Sequence, residues 1–302
     1  MLNIKIEKTM TPKALPAADD PLKFGTIFTD HMFLLNYDKG QGWHDARIVP
    51  YAPISLDPSA MVFHYGQEMF EGLKAYRTKD DRVLLFRPEK NMERLNASND
   101  RLCIPQIDVD FCVKAIKKLV SVDRSWVPSA EGTSLYIRPF MIATGTGVVA
   151  APSSQYRFMI ILSPAKSYYS GEVKVIIAEH YSRAANGGIG AAKAAGNYSA
   201  QFYPTQLANK DGFQQIIWTD DATHTKLEEA GTMNVFFRIN NTLFTAPASE
   251  RILDGVTRKS LITLAEKEGI DIQVRSVLVW ELVEAAKNGT LKEIFGAGTA
   301  AV

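Results

Sequence analysis

Cysteine is almost absent from this chain. Cys103 and Cys112 are the only two in 302 residues, and they form neither a CxxC pair nor any zinc-ligand spacing. That usage excludes a disulfide scaffold, offers no metal site, and fits a reducing compartment. Charge of one sign is not in excess either: 34 basic and 33 acidic side chains leave a formal net charge of +1. A nucleic-acid-binding surface would need a basic surplus or a clustered basic stripe, and the sequence has neither. Long apolar runs are missing as well. Stretches such as Phe158 to Leu162 fall far short of the roughly 20 residues that span a bilayer. The N-terminal MLNIKIEKTMTPK mixes lysine and glutamate with isolated apolar residues, so it lacks the continuous core of a secretory signal. No repeat or low-complexity tract occurs. What remains has 46% hydrophobic and 22% charged residues, the composition of a chain that packs a core rather than staying disordered. The expectation is a cytosolic globular protein, long enough for two ordinary domains or one large one.

Periodicity supplies the organisation. Up to about Asp20 the chain shows little pattern and is expected to wrap over the surface. MVFHYG (61–66), GLKAYR (72–77), RVLLFR (82–87), TSLYIRPFMIAT (133–144) and YRFMIIL (156–162) are short apolar or aromatic segments between turn formers, as strands are. Pro88 opens a predicted helix through about Arg101, with Met92, Leu95, Asn99 and Leu102 near one face. Asp108 is the expected N-cap of another, carrying Val113, Ile116, Leu119 and Val120. Around SPAKSYYSG (163–171) proline, glycine and serine gather, which marks a linker. Beyond it, strands are predicted at 173–180, 213–220, 233–239, 271–277 and 291–295, and helices at 197–210, from a Thr257 cap to Gly269, and at 281–288. The architecture expected is two mixed α/β domains, 1–163 and 176–302, joined by residues 164–175.

Four segments carry chemistry. In NGGIGAAKAAGNYSAQF (186–202), four glycines and five alanines surround Lys193, the one charged side chain between Arg183 and Lys210. Small residues let backbone approach a ligand closely. A P-loop would need glycine before the lysine and Ser or Thr after it, but Ala192 and Ala194 stand there; a dinucleotide fingerprint fails because Lys193 takes its third glycine position. A solvated loop lysine is the plain alternative. The apolar setting weighs against it, because crowding depresses an amine's pKa and makes it the nucleophile that a Schiff base requires. In KLEEAGTMNVFF (226–237) two carboxylates precede a Gly-Thr turn and an apolar strand; alone they read as a solvated loop. RILDGVTRKSL (251–261) and IFGAGTAAV (294–302) place Gly and Thr at turns, the first at a helix N-terminus suited to phosphate.

With these segments in place, the chain resembles the branched-chain amino acid aminotransferases among the fold-type IV pyridoxal-phosphate enzymes. The resemblance runs in order through FHYGQEMFEGLKAYR (63–77), LFRPEKNMERLNASNDRLCIP (85–105), SLYIRPFMIATG (134–145), GGIGAAKAAGNY (187–198), LEEAGTMNVFF (227–237), RILDGVTRKSL (251–261) and IFGAGTAA (294–301). It implies a two-domain α/β (mixed α+β) fold with an interdomain active site, the second domain binding pyridoxal 5′-phosphate. Lys193 matches the lysine that holds the cofactor and later shuttles a proton, and Glu229, rather than Glu228, the carboxylate at the pyridine nitrogen. Tyr198 matches the partner of the phenolic oxygen, Arg94 the arginine on the phosphate, and Leu253 the side chain on the ring face. Val256, Thr257 and Thr299 match further phosphate donors. Tyr65, Phe70, Tyr136, Arg138, Thr299 and Ala300 match substrate positions; without the resemblance the aromatic residues read as core.

The implied activity is transfer of the amino group of L-leucine, L-isoleucine or L-valine to 2-oxoglutarate, in a cytoplasmic homodimer, with ping-pong kinetics. The rivals on the same fold are a D-amino acid aminotransferase and an aminodeoxychorismate lyase; the FEGLKAYR and NMERLNASNDRL blocks favour the first reading. A rival of another class is an inactive phosphate-binding module. Relatives of this kind usually continue past the Gly-Thr turn with further strands and a helix, for which this sequence holds no residues after Val302. Nor does it hold the CxxC redox pair of some animal members, since Ala301 stands where the first cysteine would be.

Overall fold

The computed structural model describes residues 2–17, 20–166 and 171–300. The chain divides into two compact units, Met1–Tyr168 and Tyr169–Val302.

In the first unit the strands are β1 (Lys5–Ile6), β2 (His31–Asp38), β3 (Gly42–Pro50), β4 (Glu68–Phe70), β5 (Leu73–Arg77), β6 (Val83–Leu85), β7 (Ser134–Ala143) and β8 (Gln155–Ala165). The helices are α1 (Met61–Tyr65), α2 (Pro88–Arg101) and α3 (Val109–Val122). The strands form one sheet in the order β1-β3-β2-β8-β7-β5-β6, with β4 also paired to β7. All these pairings are antiparallel except β1 with β3. Successive strand residues point to opposite faces, and here both faces are buried. Phe33 and Leu35 join the main core with α2 and α3, through Met92, Leu95, Phe111, Ile116 and Leu119. Met32 and Leu34 join a second cluster with Ile142 and Met159. Two buried faces turn HMFLLNYD into a nearly continuous apolar run without the alternation that marks a strand, and the sequence reading places no element on residues 31–50.

Local signals account for both long helices. Asp108 accepts a hydrogen bond from the Phe111 amide at 2.7 Å, as its N-cap assignment requires. Pro88 sits in the first turn of α2, where its missing N–H costs nothing. The strand expected at 61–66 is corrected to a helix. Gly66 takes a left-handed conformation (φ 56°) and its amide bonds the Val62 carbonyl, closing a single short helix that the aromatic composition had disguised. β8 continues to Ala165 by pairing with Ser134 at the opposite end of β7, so the strand runs into the segment expected as the linker; residues 167–170 lie outside the described residues.

The second unit contains β9 (Val175–Ile177), α4 (Gly196–Ser199), α5 (Phe202–Lys210), β10 (Gln215–Thr219), β11 (Lys226–Ala230), β12 (Asn234–Ile239), β13 (Thr242–Thr245), α6 (Val256–Lys267), β14 (Ile272–Val274), β15 (Val277–Leu278), α7 (Val279–Lys287) and β16 (Leu291–Ala297). They build two four-stranded sheets, β15-β11-β10-β9 and β14-β13-β12-β16. Ile217, Leu227, Val235, Phe237, Phe244, Val277 and Leu282 form the core between them and α7. The single helix expected over 197–210 is two, α4 and α5, separated at Ala200 and Gln201. The cap expected at Thr257 is corrected to Gly255, so that Val256 and Thr257 are the first helical residues of α6. Among the described residues no helix is long and apolar enough to cross a membrane.

Candidate active site

Lys193 lies just before α4, between the buried Ala192 and Ala194, and is itself half-buried. Its Nζ donates to the Tyr198 hydroxyl at 2.8 Å. The contact is local: α4 is a short helix, and residues five apart across its start come back to the same side. Asn197, between them in sequence, donates to the carbonyls of Ile189 and Ala192, both at 2.8 Å, and so ties the glycine-rich loop to the helix.

Glu228 and Glu229 are both on β11, and both are buried. The strand alternation separates them. Glu228 accepts from Arg251 Nε at 2.5 Å. Glu229 meets a different set: Arg183 Nη2 at 2.8 Å and the Leu253 amide at 3.3 Å on Oε1, and the Asn234 side-chain amide at 3.0 Å on Oε2. Burial pushes the Glu229 carboxyl up from 4.5 to about 7, although Arg183, the Leu253 N–H and Lys193 each pull it down. Glu228 is raised by burial too, against the pull of Arg251. The charge of Lys193 acts on Glu229 and favours its ionised form.

Leu253, Val256 and Thr257 belong to the turn that enters α6. Gly255 occupies the N-cap and offers no side chain to the first N–H groups of this helix, which leaves a terminus suited to an anion. Gly255 is required there, since an added Cβ would come to within 2.0 Å of Asn234 Oδ1. Asn234 pairs with Ala297 at the end of β16, and Thr299 and Ala300 follow in the turn beyond that strand. The second unit thus brings Lys193, Tyr198 and Glu229 into one electrostatic group, with Leu253 bonded to Glu229.

The remaining predicted positions are in the first unit. Strand alternation puts Tyr136 and Arg138 on the β7 face opposite Leu135 and Ile137. Arg138 donates to the Tyr136 hydroxyl at 3.0 and 2.9 Å, and its guanidinium lies 4.2 Å from the Phe70 ring centre. These three form a cluster, whereas Tyr65 ends α1 with 42% of its surface exposed. Arg94 on α2 makes a two-point ion pair with Glu71, at 2.7 and 3.0 Å, and Glu71 is fully buried.

Sequence reasoning passed over Arg183 and Asn234. Arg183 also donates to the carbonyls of Gly190 and Arg251, so one guanidinium links the Lys193 loop, the 251 turn and Glu229. Its isolation as the last charge before the glycine-rich run was a signal, and it went unused.

Comparison with known proteins places the chain in a family. A family model described as amino-transferase class IV matches residues 68–299. The chain is 50% identical to branched-chain-amino-acid aminotransferase 2 of Bacillus subtilis (strain 168), over 99% of this chain and 83% of that one. A branched-chain aminotransferase from the archaeon Thermoproteus uzoniensis, solved with norvaline, superposes with a TM-score of 0.76 at 24% identity, over 90% of this chain and 84% of that one. The branched-chain amino acid aminotransferase of Thermobaculum terrenum, solved in its PLP form, superposes with a TM-score of 0.71 at 21% identity, over 89% and 82% of the two chains. Both structures are likenesses of fold alone. An amine on a phenol beside a buried carboxylate, in a chain half identical to such an enzyme through nearly its whole length, leads to one assignment: this chain belongs to the branched-chain amino acid aminotransferases of class IV.

Proposed function

We propose that the protein is a pyridoxal-phosphate-dependent transaminase that moves the amino group of L-leucine, L-isoleucine or L-valine to 2-oxoglutarate. The observation that carries the proposal is the 2.8 Å contact of Lys193 Nζ with Tyr198 Oη, in the same unit as the buried Glu229. The donor set fits the cofactor: an amine for its aldehyde, a phenol for its ring oxygen, a buried carboxylate for its ring nitrogen, and the uncapped N-terminus of α6 for its phosphate. Pyridoxal phosphate, when bound, supplies an aldehyde that takes up the amino group and a ring that accepts charge from the substrate α-carbon.

The chain's own residues supply the rest. Lys193 would hold the cofactor through its amine and would move the proton at the substrate α-carbon, with Tyr198 directing its Nζ. Glu229, with a carboxyl near 7, becomes the ionised partner once a cationic ring nitrogen sits beside it, because opposite charge at short range offsets the cost of burial. Val256 and Thr257 at the head of α6, with Thr299, are the proposed phosphate donors, and Leu253 packs the ring. Arg94 is a further phosphate donor, its guanidinium oriented by Glu71. Tyr65, Phe70, Tyr136, Arg138 and Ala300 are the proposed substrate contacts; aromatic walls suit a branched aliphatic side chain, which needs no polar partner. The working form is a cytoplasmic homodimer.

An absorbance spectrum of the protein with pyridoxal phosphate, before and after L-leucine, tests this. A band near the visible edge that shifts on leucine and is missing in Lys193→Ala is expected. Turnover retained by Lys193→Ala, or a band that answers D-alanine and ignores leucine, would overturn the assignment.

A further inference from the structure

Asn234 opens β12 and is buried, with 5% of its surface exposed. Its side-chain amide donates twice, to Glu229 Oε2 at 3.0 Å and to the Leu253 carbonyl at 2.9 Å. Both partners are acceptors, so the nitrogen must face them, and Oδ1 therefore faces Gly255. The fit at Gly255 is close enough that a Cβ there would meet Oδ1 at 2.0 Å. Through its backbone, Asn234 is also the register partner of Ala297, the last residue of β16 before the Thr299 turn. The side chain thus touches Glu229, Leu253 and the head of α6, and the backbone of the same residue pairs with the strand that delivers Thr299.

We propose that Asn234 is a positioning residue, which sets the orientation of the Glu229 carboxylate relative to the Leu253–Val256 turn. The inference rests on the assignment of Glu229 as the partner of the cofactor's ring nitrogen. The terminal torsion of a glutamate is broad, so the orientation of its carboxylate plane comes from its hydrogen bonds. Arg183 and the Leu253 amide both act on Oε1, and Asn234 acts on Oε2. Loss of the Oε2 donor lets the plane rotate about the Oε1 contacts. It also removes a hydrogen bond to the charged form, which raises the pH at which the carboxyl ionises. The bond to Leu253 fixes the same plane against the turn from which α6 starts, so a ring nitrogen and a phosphate would find their partners at a set spacing.

The test uses the full chain and two readouts besides turnover: pyridoxal phosphate affinity by absorbance titration, and the Glu229 carboxyl midpoint by carbon-13 NMR of glutamate-labelled protein. Asn234→Ala is expected to weaken cofactor affinity at least about tenfold and to raise the Glu229 midpoint, while Asn234→Ser, which keeps a short donor, recovers part of both. In a Glu229→Gln background, Asn234→Ala should cost less affinity than it does alone. A folded Asn234→Ala protein with unchanged affinity and midpoint overturns the proposal. If that variant does not fold, the wild type decides. The Asn234 side-chain nitrogen-15 resonance is expected to titrate with the Glu229 midpoint, and a resonance that ignores it overturns the proposal. Failure of the wild type to bind pyridoxal phosphate would defeat the assigned function instead, and the two NMR titrations would still judge the Asn234–Glu229 coupling.

Discussion

Glu229→Gln should make the cofactor-free protein more stable at pH 8 while it disables the site. In the unfolded chain this carboxyl ionises at its ordinary 4.5, and in the folded protein near 7. Between those values the folded state keeps a proton that the unfolded state has lost. The contribution to stability is therefore complete below 4.5 and is lost as pH rises through about 7. Each pH unit of that window is worth about 1.4 kcal/mol, so wild type loses about 3 kcal/mol from this one group. Glutamine cannot ionise and escapes the loss. The cause is burial, which outweighs the pull of Arg183, the Leu253 amide and Lys193 on the ionised form. Hydrogen exchange of the Phe236 and Phe237 amides, in the fully buried centre of β12, reads the stability of this unit directly. Comparing variant with wild type at the same pH removes the intrinsic pH dependence of exchange. The two should be close at pH 4.5, and the variant should exchange roughly a hundredfold more slowly at pH 8. A ratio that stays constant between pH 4.5 and 8 would refute the reasoning. So would a wild type that gains on the variant as pH rises, for then pairing with Arg183 would outweigh burial.

The same accounting extends to other positions. Arg94→Ala leaves the fully buried Glu71 carboxylate without its two-point partner; a loss of about 3 kcal/mol is expected in the first unit, read as faster exchange of α2 amides, alongside weaker cofactor binding. Unchanged α2 protection would show that Glu71 is held adequately without Arg94. Gly255→Ala drives a Cβ to within 2.0 Å of Asn234 Oδ1 and should cost about 1–3 kcal/mol and weaken cofactor affinity. The backbone there is at φ −66°, so the strain is steric alone, and adding Asn234→Ser should relieve it; no relief would place the clash elsewhere. Leu95→Ala empties a fully buried position under the first sheet and should cost about 2–5 kcal/mol in urea unfolding, with no effect on the Lys193 absorbance band at low denaturant.

The candidate lysine and its contact were legible because their signals are local. The glycine- and alanine-rich run singled out Lys193, and Tyr198 stands close enough in sequence for α4 to bring the two together. Asp108 and Pro88 marked the starts of α3 and α2 by capping chemistry that acts within one turn. The 61–66 segment misled because its aromatic composition suits a strand, while Gly66 in the left-handed region closes a helix. In β2, burial on both faces removes the alternation by which a strand is recognised.

Residue types and spacing alone marked Lys193 as the candidate nucleophile and placed the two long helices, while the order of seven motifs carried the resemblance to the family. Tertiary structure decided which partners the buried charges take. Adjacent glutamates on β11 look equivalent in sequence, and the pleat sends Glu228 to Arg251 and Glu229 to Arg183, Leu253 and Asn234. Arg94 and Glu71 stand in separate motifs until α2 packs beside the strands that flank Glu71. Periodicity records which face a side chain takes on its own element. The group it meets there depends on strand register and helix packing, which bring together residues distant in sequence.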